Sequence, residues 1–391
     1  MAIEKQRRIA LIDPVGIKAG MDHYDLLLLS GIQNETFHVK LYTNFSRQVP
    51  EVEVKQVFFN TGVAKWRAVL SNFTGFLQAL LECRSEGTKW IVLHVFRAGI
   101  FDLVTFSLAR LLGLRICAIV HDIESLDTFT LPFIRRTVTG TLPAVRVVHN
   151  AFSRDELLKT IGQEYAPGSA IIPHVHFRHL FRHYREPGGT SDNTPFNATL
   201  AAGIHPALPE TLQSKTPVLL FFGQIKRAKG LDVLLEAIAQ CRSDFRVVIA
   251  GKVRDDNWSR YDGIITSLNL QGKVLPAIRH ISDEERDFLF SISKGIVLPY
   301  TRIYQSGVLL MAMSFPRPVI ASDLPPNAEL LRHGKNGLLF ESENPKNLAL
   351  RIEELLSGKY DTEELMRQAL SDIDGLYSPS VIGAQYRALL Q

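Results

Sequence analysis

The chain alternates between short apolar runs, which predict strands, and longer runs with helical periodicity, which predict helices. In the first half, the sequence predicts strands over residues 8–13, 37–42, 90–95, 115–121, 146–148 and 170–173, and helices over 21–29, 64–83 and 101–112. In the second half, it predicts strands over 218–222, 245–250, 274–276, 296–298 and 319–321, and helices over 231–240, 283–291 and 308–314. This alternation is typical of parallel, doubly wound α/β sheets.

A stretch rich in proline and glycine, residues 184–216, separates the two sets of elements. We therefore expect an N-terminal domain over residues 1–183, a linker over 184–216 and a C-terminal domain over 217–372. Apolar residues at near-helical spacing predict a final helix over 373–391 that returns to the N-terminal domain. A length of 391 residues also fits two domains, because single cores rarely grow that large.

The segment from Val297 to Phe340 reads as strand, small-residue loop, helix and strand. In such a unit, the loop opens a helix N-terminus at the carboxyl edge of the sheet, where backbone N–H groups and the helix dipole favour phosphate. Ser306 can cap this helix, and Gly307 lets a ligand approach the backbone. By itself, Ser-Gly at a helix start is also common in loops that bind nothing.

A second loop, between Gly223 and Gly230, is basic and follows the first strand of the second half. Lys226 and Lys229 therefore point into the same carboxyl-edge crevice, where they predict a clamp for a diphosphate. The alternative is two solvated lysines. A third glycine loop, which ends at Gly20, follows the first strand of the chain but lacks the G-x-G-x-x-G spacing of dinucleotide sites.

Histidines follow two predicted strands of the first half. His121 ends a strand, where burial beside a carboxylate suits a hydrogen-bond donor or a proton carrier, although a structural histidine is the plainer interpretation. Four more lie in the run after Pro173: His174, His176, His179 and His183. No H-E-x-x-H motif accompanies them, and a crossing loop fits better than a metal site. We expect no metal ligands in this protein.

The composition indicates in which cellular compartment the protein is expected. The three cysteines are far apart in apolar contexts, which favours reduced core residues of a cytosolic protein. The start of the chain is charged, and no apolar run reaches the roughly 20 residues of a membrane span. We therefore expect a cytoplasmic protein. Peripheral contact with the inner face of the membrane is a further expectation.

Charge is distributed unevenly along the chain. Residues 1–185 hold 22 Lys and Arg against 16 Asp and Glu, a net charge of +6, whereas the remaining residues hold 22 against 24, a net charge of −2. A basic first half suggests an anionic partner, either a membrane surface or a phosphate-bearing substrate, or else ordinary surface charge. We expect no nucleic-acid partner.

Several runs together resemble one enzyme family. LLFFGQIKRAKGLDVLLEAI, from Leu219, resembles the nucleotide-diphosphate loop of GT-B glycosyltransferases, especially retaining family 4. PYTRIYQSGVLLMAMSFPRPVIASDLPPNAELLRHGKNGLLF, from Pro299, is similar to the donor signature of that family. IPHV at 172–175 and VHD at 120–122 resemble its segments in the first domain. The similarities follow the family order over nearly the whole chain.

The resemblance implies a GT-B fold, in which two Rossmann-like domains face a cleft. It implies a nucleotide-sugar donor in the second domain and an acceptor in the first, without a metal and with retention at the anomeric carbon. His121 would hydrogen-bond the transferred sugar and act with Lys229 in catalysis. The expected donor-binding residues are Gly20, Gly223, Lys226, Lys229, Gln305, Ser306, Gly307, Val308 and Glu329.

The chain departs from the family pattern in its donor loop. The family carries two glutamates, with seven residues between them, where this sequence has Ile303 and Met311. The basic residue that follows the loop glycine in the family is Gln224 here, so Lys226 would take its place. Gln305 would replace a lost contact to the sugar. These changes put the usual ribose and sugar contacts in doubt and suggest a divergent branch.

Three functions compete at this stage. The first is a hexosyltransferase that uses a UDP- or GDP-linked sugar. The second is another GT-B enzyme, such as a sugar-nucleotide epimerase, and release of nucleoside diphosphate on transfer would separate the two. The third is a non-catalytic GT-B partner protein, which the two missing glutamates support. The two lysines, Ser306-Gly307 and His121 favour the first.

A membrane-linked acceptor fits the basic first half. The predicted helix over residues 64–83 carries Lys65 and Arg67 beside apolar residues, and Arg135-Arg136 adds positive charge. Its face of Phe73, Phe76, Leu77, Leu80 and Leu81 favours core packing over lipid contact. We expect weak, reversible binding to anionic lipid and a role in building a surface polysaccharide or glycolipid; the alternative is a soluble acceptor.

Overall fold

The computed structural model describes residues 6–17, 20–47, 49–123, 131–181, 197–254, 256–315 and 317–391. The chain divides into two units. Unit 1 is Met1–Val175 with Gly375–Gln391, and unit 2 is His176–Asp374. Lys18 and Ala19 of the first glycine loop, His183, and residues 184–196 of the predicted linker lie outside the described residues. Among the described helices, none is both long and apolar enough to cross a membrane.

Unit 1 contains a seven-stranded parallel sheet. Its strands are β1 (Arg7–Ile12), β2 (Phe37–Thr43), β3 (Glu53–Gln56), β4 (Trp90–Val95), β5 (Arg115–Val120), β6 (Val145–Val148) and β7 (Ser169–Ile171). The order across the sheet is β3-β2-β1-β4-β5-β6-β7. The central strands are apolar and buried along most of their length because helices cover both faces of such a sheet.

The helices of unit 1 follow the strands of this sheet. They are α1 (Met21–Ile32), α2 (Lys65–Ser85), α3 (Ile100–Leu111), α4 (Pro132–Arg136), α5 (Ala151–Ile161) and, from the end of the chain, α15 (Pro379–Leu389). The last helix packs on α1, although it begins at Pro379 rather than at residue 373, because residues 373–376 belong to a preceding helix. A Cβ added to Gly383 would lie 1.9 Å from the carbonyl oxygen of Gly31, so the two backbones touch at this point.

Unit 2 contains a six-stranded parallel sheet. Its strands are β8 (Val218–Phe222), β9 (Arg246–Ala250), β10 (Val274–Ala277), β11 (Gly295–Leu298), β12 (Val319–Ser322) and β13 (Leu338–Phe340), in the order β10-β9-β8-β11-β12-β13. The helices are α6 (Ala198–Ile204), α7 (Leu208–Gln213), α8 (Leu231–Gln240), α9 (Trp258–Ser267), α10 (Asp283–Ile292), α11 (Gly307–Ser314), α12 (Pro325–Ala328), α13 (Pro345–Leu356) and α14 (Thr362–Leu376). Two parallel α/β sheets agree with the predicted fold class.

The unit boundaries differ from the predicted ones. The first unit ends at Val175 rather than at residue 183, and it resumes at Gly375 rather than at 373. Part of the predicted linker is helical, since α6 and α7 belong to unit 2. Asn197 caps α6 by accepting a hydrogen bond from the backbone of Leu200, and buried Leu208 anchors α7. The proline content of this stretch therefore concealed two short helices.

Candidate active site

Three adjacent strands of unit 2 end at the predicted donor loops. β8 pairs with β11, and β11 pairs with β12, all in parallel. Because parallel strands share their carboxyl edge, the loops after these strands lie side by side. They carry Lys226 and Lys229 after β8, Gln305 and Ser306 after β11, and Glu329 after β12. The sheet order therefore collects the predicted donor residues of unit 2 at one edge.

The loop after β8 begins with a glycine that no other residue could replace without strain. Gly223 has φ +114° and lies against Gly251, whose added Cβ would be 1.8 Å from the Gly223 carbonyl oxygen. A Cβ added to Gly223 itself would lie 3.3 Å from Cγ2 of Val308 in the first turn of α11. The structure thus brings Gly223 and Val308, two of the predicted donor residues, into direct proximity.

Lys229 is held in place by an aromatic ring. Its Nζ lies 3.7 Å from the ring centroid of Tyr300, in cation–π geometry. The backbone below it forms a tight turn, in which Lys229 N donates to the carbonyl oxygen of Lys226 at 2.9 Å. Thr301 N donates to the carbonyl oxygen of Ala228 at 3.0 Å and ties this turn to the loop after β11. The two donor loops are therefore one connected structure.

The helix that follows the second loop starts with a capped N-terminus. Ser306 is buried, and its hydroxyl accepts a hydrogen bond from the backbone N–H of Leu309 at 2.9 Å. Gly307 opens α11 and adds no side chain over the helix end, while Gln305 is half-buried just before the cap. The first backbone N–H groups and the positive end of the helix dipole are the features that bind phosphate in other α/β proteins.

The positions that depart from the family pattern have no acidic substitute at hand. Ile303 is only 8% exposed, so it is a packing residue of the loop, and Met311 is half-buried on α11. Glu329 is exposed and lies just after α12. Asn327 fixes this short helix because its side-chain amide donates to the Ser322 carbonyl oxygen at 3.0 Å. Both Asp323, directly after β12, and Glu329 follow the strand that pairs with β11.

In unit 1, His121 lies in a buried cluster of imidazoles at the carboxyl edge of the sheet. It is 4% exposed and stacks on Phe96, with ring centroids 4.5 Å apart. Its Nε2 lies 2.7 Å from Nδ1 of His94, which is the next-to-last residue of β4. His149 follows β6, with its ring centroid 5.4 Å from that of His121, and His174 follows β7 at 5.3 Å from His149.

Two carboxylates extend this cluster. Nε2 of His94 lies 2.8 Å from Oδ1 of Asp25 on α1. Asp13, directly after β1, accepts hydrogen bonds from the backbone N–H groups of Val15 and Gly16 at 2.8 and 2.7 Å. Both acids are fully buried. Burial is the main reason that the pKa of Asp13 is raised to about 7 and that of Asp25 to about 8. The charge of Asp25 raises the pKa of Asp13 further, and the charge of Asp22 raises that of Asp25.

Burial has the opposite effect on the bases, because it disfavours the charged form. It lowers the pKa of His94 to about 4, of His149 to about 4 and of His174 to about 3, and it lowers the pKa of His121 well below the ordinary value of 6.5. The imidazoles are therefore neutral at physiological pH. Each can donate and accept one hydrogen bond.

Gly20 lies elsewhere on unit 1. It has φ +74°, is exposed and forms the N-cap of α1, with nothing within 4 Å of an added Cβ. The positive φ accounts for the glycine at this position. The structure places it in the same unit as His121, whereas the remaining predicted donor residues belong to unit 2.

Sequence reasoning missed most of the unit 1 cluster. His94, His149, Asp13 and Asp25 were not singled out, and His174 was considered only as a metal candidate. A usable signal existed, because Asp13 and His121 end predicted strands, His149 directly follows one, and parallel strands share one edge. Among the described residues, no group of three or more His, Cys, Asp or Glu side chains is arranged to hold a metal ion.

Comparisons with known proteins agree with this architecture. Residues 209–371 match the family described as Glycosyl transferases group 1. The GDP-mannose:glycolipid 4-beta-D-mannosyltransferase of Xanthomonas campestris is 25% identical over 274 residues, 67% of this chain and 72% of that relative. A glycosyltransferase of Methanocaldococcus jannaschii, named as uncharacterised, is 24% identical over 169 residues, 43% of each chain. A second relative from that organism is covered over 38% of its length.

Solved structures extend the likeness to the whole chain. The structure of Anabaena HepE in complex with UDP and glucose superposes with a TM-score of 0.73 over 98% of this chain and 99% of that one, at 17% identity. The fold is therefore that of GT-B glycosyltransferases, and the predicted fold class is confirmed. The match of residues 209–371 to the group 1 glycosyltransferase model agrees with the family resemblance noted in the sequence.

Proposed function

We propose that this protein is a hexosyltransferase that moves a sugar from a UDP- or GDP-linked donor to a glycan or lipid-linked acceptor. The observation that carries the proposal is the junction of two loops in unit 2. There Gly223 meets Val308 at the Ser306-capped start of α11, and Lys229 is fixed over Tyr300 beside it. A helix start, a glycine turn and a lysine make a site for a diphosphate.

The chemistry of transfer explains why such a site matters. Breaking the bond between sugar and diphosphate leaves negative charge on the leaving group, while the sugar becomes oxocarbenium-like. Groups already aimed at the place where charge develops lower the barrier, at about 3 kcal/mol for a well-placed donor. Lys226, Lys229 and the amides of Ser306, Gly307 and Val308 supply positive charge at the leaving group. His121 hydrogen-bonds the transferred sugar, and we expect retention at the anomeric carbon.

Two relatives suggest the donor and acceptor classes. The name of the Xanthomonas relative states a GDP-mannose donor and a glycolipid acceptor, and the Anabaena structure holds UDP and glucose. Both nucleotides are compatible with a diphosphate site, and we propose a UDP- or GDP-sugar as the donor. A glycolipid acceptor fits the basic first half of the chain, and a role in cell-surface polysaccharide or glycolipid synthesis follows.

Calorimetric titration of the purified protein with UDP and with GDP tests the donor site. We expect one of the two to bind with one site per chain, and inorganic diphosphate to compete with it, because the site is built for phosphates. Failure of both nucleotides to bind would overturn the proposal. Binding without transfer to any acceptor, or without release of nucleoside diphosphate, would instead favour the non-catalytic or epimerase alternatives.

We further propose that transfer requires no divalent metal, since Lys226, Lys229 and the end of α11 provide the positive charge at the leaving group. Activity should persist after dialysis against EDTA. Loss of activity on chelation, followed by recovery on addition of magnesium or manganese, would contradict this part of the proposal.

A surface of unit 1 supports a membrane-linked acceptor. Helix α2 was predicted to pack its apolar face in the core, and Phe76 and Leu80 are indeed buried. The other members of that predicted face, Phe73, Leu77 and Leu81, are exposed instead, so the prediction is wrong for them. They continue an exposed apolar strip with Trp66, at 64% exposure, Val69 and Leu70. Lys65 and Arg67 flank this strip. An exposed apolar strip with basic neighbours is typical of helices that lie on anionic membranes.

Co-sedimentation with anionic vesicles at low and high salt tests this surface. Each basic residue near an anionic surface contributes about 1 kcal/mol, and the attraction is screened by salt. We expect Trp66→Glu to reduce binding at low salt, while Leu350→Glu, on α13 of unit 2 and 48% exposed, serves as the matched control. An absence of binding at low salt, together with efficient transfer to a small water-soluble acceptor, would rule out the membrane contact and favour a cytoplasmic protein with a soluble acceptor.

A further inference from the structure

We infer that Asp13, Asp25 and His94 are positioning residues that fix the tautomer of His121. They keep the ring hydrogen of His121 on Nε2, where it is donated to His94, and they leave Nδ1 as the nitrogen that accepts a hydrogen bond. The role of His121 at the sugar rests on the proposed function, but the tautomer does not.

The chain of polar contacts is continuous and crosses three elements. Nε2 of His121, at the end of β5, lies 2.7 Å from Nδ1 of His94 on β4. Nε2 of His94 lies 2.8 Å from Oδ1 of Asp25 on α1. Asp25 and Asp13 interact directly as a buried carboxyl pair. All four side chains are withdrawn from solvent, so water does not compete for these bonds.

Asp13 sets the direction of donation along this series of hydrogen bonds. Its two oxygens accept hydrogen bonds from the backbone N–H groups of Val15 and Gly16, and a backbone N–H can only donate. Asp13 is therefore the ionised member of the pair. Two buried carboxylates in contact cannot both be charged, so Asp25 carries the shared proton. Oδ2 of Asp25 has no hydrogen-bond partner, so we place the shared proton on this oxygen.

The direction of the remaining bonds follows. Oδ1 of Asp25 accepts a hydrogen bond, so Nε2 of His94 carries a hydrogen and Nδ1 of the same neutral ring is an acceptor. Nε2 of His121 must then carry the hydrogen that fills the 2.7 Å gap to His94. In the neutral imidazole of His121, Nδ1 is left as the acceptor. A ligand hydroxyl that meets this nitrogen would donate to it.

The neighbouring imidazoles have the opposite tautomer. Nδ1 of His149 lies 2.9 Å from the Ile172 carbonyl oxygen, and Nδ1 of His174 lies 2.7 Å from the Val175 carbonyl oxygen. Because a carbonyl only accepts, both rings carry their hydrogen on Nδ1. The four buried histidines therefore divide into two with Nε2–H and two with Nδ1–H.

Other titratable groups also face the cluster. Tyr24 on α1 lies against the rings of His94, His121, His149 and His174. The remaining groups that act on the cluster or on Tyr24 are Asp22 on α1, Cys117 on β5 and Tyr386 on α15. Asp122 follows His121 directly in the chain. Burial raises the pKa of Cys117 to about 12 and that of Tyr386 well above its usual range, so both stay neutral while the pair titrates.

Nitrogen NMR on protein labelled with ¹⁵N-histidine tests the inference without any substrate. At pH 7.5 we expect one proton with a one-bond coupling to Nε2 of His121 and a coupling across the hydrogen bond to Nδ1 of His94. His94→Gln and His121→Gln assign the signals. His149 and His174 should show Nδ1–H. A proton bonded to Nδ1 of His94, or no coupling between the two rings, would overturn the inference.

Substitution of Asp25 sharpens the test. Asp25→Asn is isosteric with the protonated acid, since its NH₂ can donate to Asp13 while its oxygen accepts from His94. We expect the coupling between His94 and His121 to survive in this variant. Asp22→Asn, three residues earlier on α1, makes the same change from carboxyl to amide outside this series of hydrogen bonds and is the matched control. Reversal of the coupling in Asp25→Asn, but not in Asp22→Asn, would show that Asp25 is ionised and contradict the inference.

Kinetics separate positioning from a merely structural role. We expect His94→Phe to lower kcat at least tenfold with little change in the donor KM, whereas His149→Phe, equally buried at the same edge, should change kcat less than threefold. Equal losses in both variants would contradict the positioning role. If the wild-type protein shows the predicted coupling but transfers no sugar, the proposed function fails and the assigned tautomer stands.

Discussion

At the scale of single residues, donor binding depends on positions where only a backbone or a fixed charge fits. Gly223 is one such position, since its φ of +114° and its contact with Val308 leave no room for a side chain. We expect Gly223→Ala to weaken nucleotide binding and to destabilise unit 2 by about 1 kcal/mol or more. Calorimetry and chemical denaturation measure the two effects.

Gly263 provides the control for this substitution. It lies within α9, has nothing within 4 Å of an added Cβ and lacks a positive φ. Gly263→Ala should leave nucleotide affinity unchanged and stabilise the helix by up to about 1 kcal/mol. Equal nucleotide affinity in both variants would mean that the turn at Gly223 does not belong to the donor site.

Lys229 is the fixed charge of this site. Hydrogen bonds to charged groups contribute about 1.5–3 kcal/mol, so Lys229→Ala should raise the Kd of the nucleotide at least tenfold. The fold should persist, because Lys229 lies on a loop outside the core. Lys335→Ala removes the same charge from an exposed loop before β13 and is the control. Unchanged affinity in Lys229→Ala would refute the diphosphate clamp.

The structural role of a single residue was predictable from the sequence where a short local motif determines it. The Ser306 cap and the glycine turn at Gly223 follow from short sequence signals, and the structure contains both. The bonds from Asp13 through His94 to His121 join residues more than 60 positions apart in places. Such pairs become neighbours only through strand order, which a pattern of polar positions does not contain.

At the scale of elements, the last helix completes the first unit. Ile382, Tyr386 and Leu390 are all buried, and the backbone of α15 touches α1 at Gly31 and Gly383. Fully burying a large apolar side chain stabilises a fold by about 1.5–3 kcal/mol. Deletion of residues after Ser378 should therefore lower the melting temperature and reduce solubility, because α1 would expose its apolar face.

A milder change in the same helix contact provides a second measurement. Gly383→Ala introduces a Cβ 1.9 Å from the Gly31 carbonyl oxygen and should destabilise unit 1. Gly375→Ala, with nothing within 4 Å of the added atom, is the control. A truncated protein with the melting temperature of the full chain would contradict the structural role of α15.

Strongly periodic elements were predicted to within a few residues, and β8 and α8 match the sequence prediction at both ends. The elements that the sequence analysis did not predict include three longer helices, α9, α13 and α14, and several short elements. β3 has polar residues and lies at the edge of its sheet, so its sequence lacks a continuous apolar run. α6 and α7 were hidden by the prolines and glycines around them. In both cases tertiary packing, rather than local periodicity, determines the structure.

At the scale of the whole molecule, the buried cluster of unit 1 makes stability depend on pH. The histidines stay neutral in the folded state, with pKa values of about 4 for His94 and His149, but become charged below 6.5 when unfolded. Their contribution to stability therefore increases as pH rises from 4 to 6.5. The pKa of Asp25 is raised to about 8, so its contribution decreases as pH rises toward 8.

Between pH 4 and about 6.5 the effect of the four histidines of the cluster exceeds the opposite effect of the two acids, so the free energy of unfolding should increase. From pH 6.5 to pH 8 only the acids titrate, so it should decrease. Chemical denaturation across this range measures the curve. Asp25→Asn should flatten the decrease above pH 6.5, because the amide does not titrate. A stability that rises steadily up to pH 8 would contradict the assignment of a shared proton to the carboxyl pair.

The central claim is that the two loops of unit 2 bind a nucleotide-sugar donor for transfer. The most direct measurement incubates the protein with UDP- and GDP-sugars carrying a labelled sugar, together with glycolipid and glycan acceptors, and follows both products. We predict that label enters one acceptor class with equimolar release of one nucleoside diphosphate, and that Lys229→Ala slows both. An absence of transfer from every donor, or transfer unaffected in Lys229→Ala, would contradict the account.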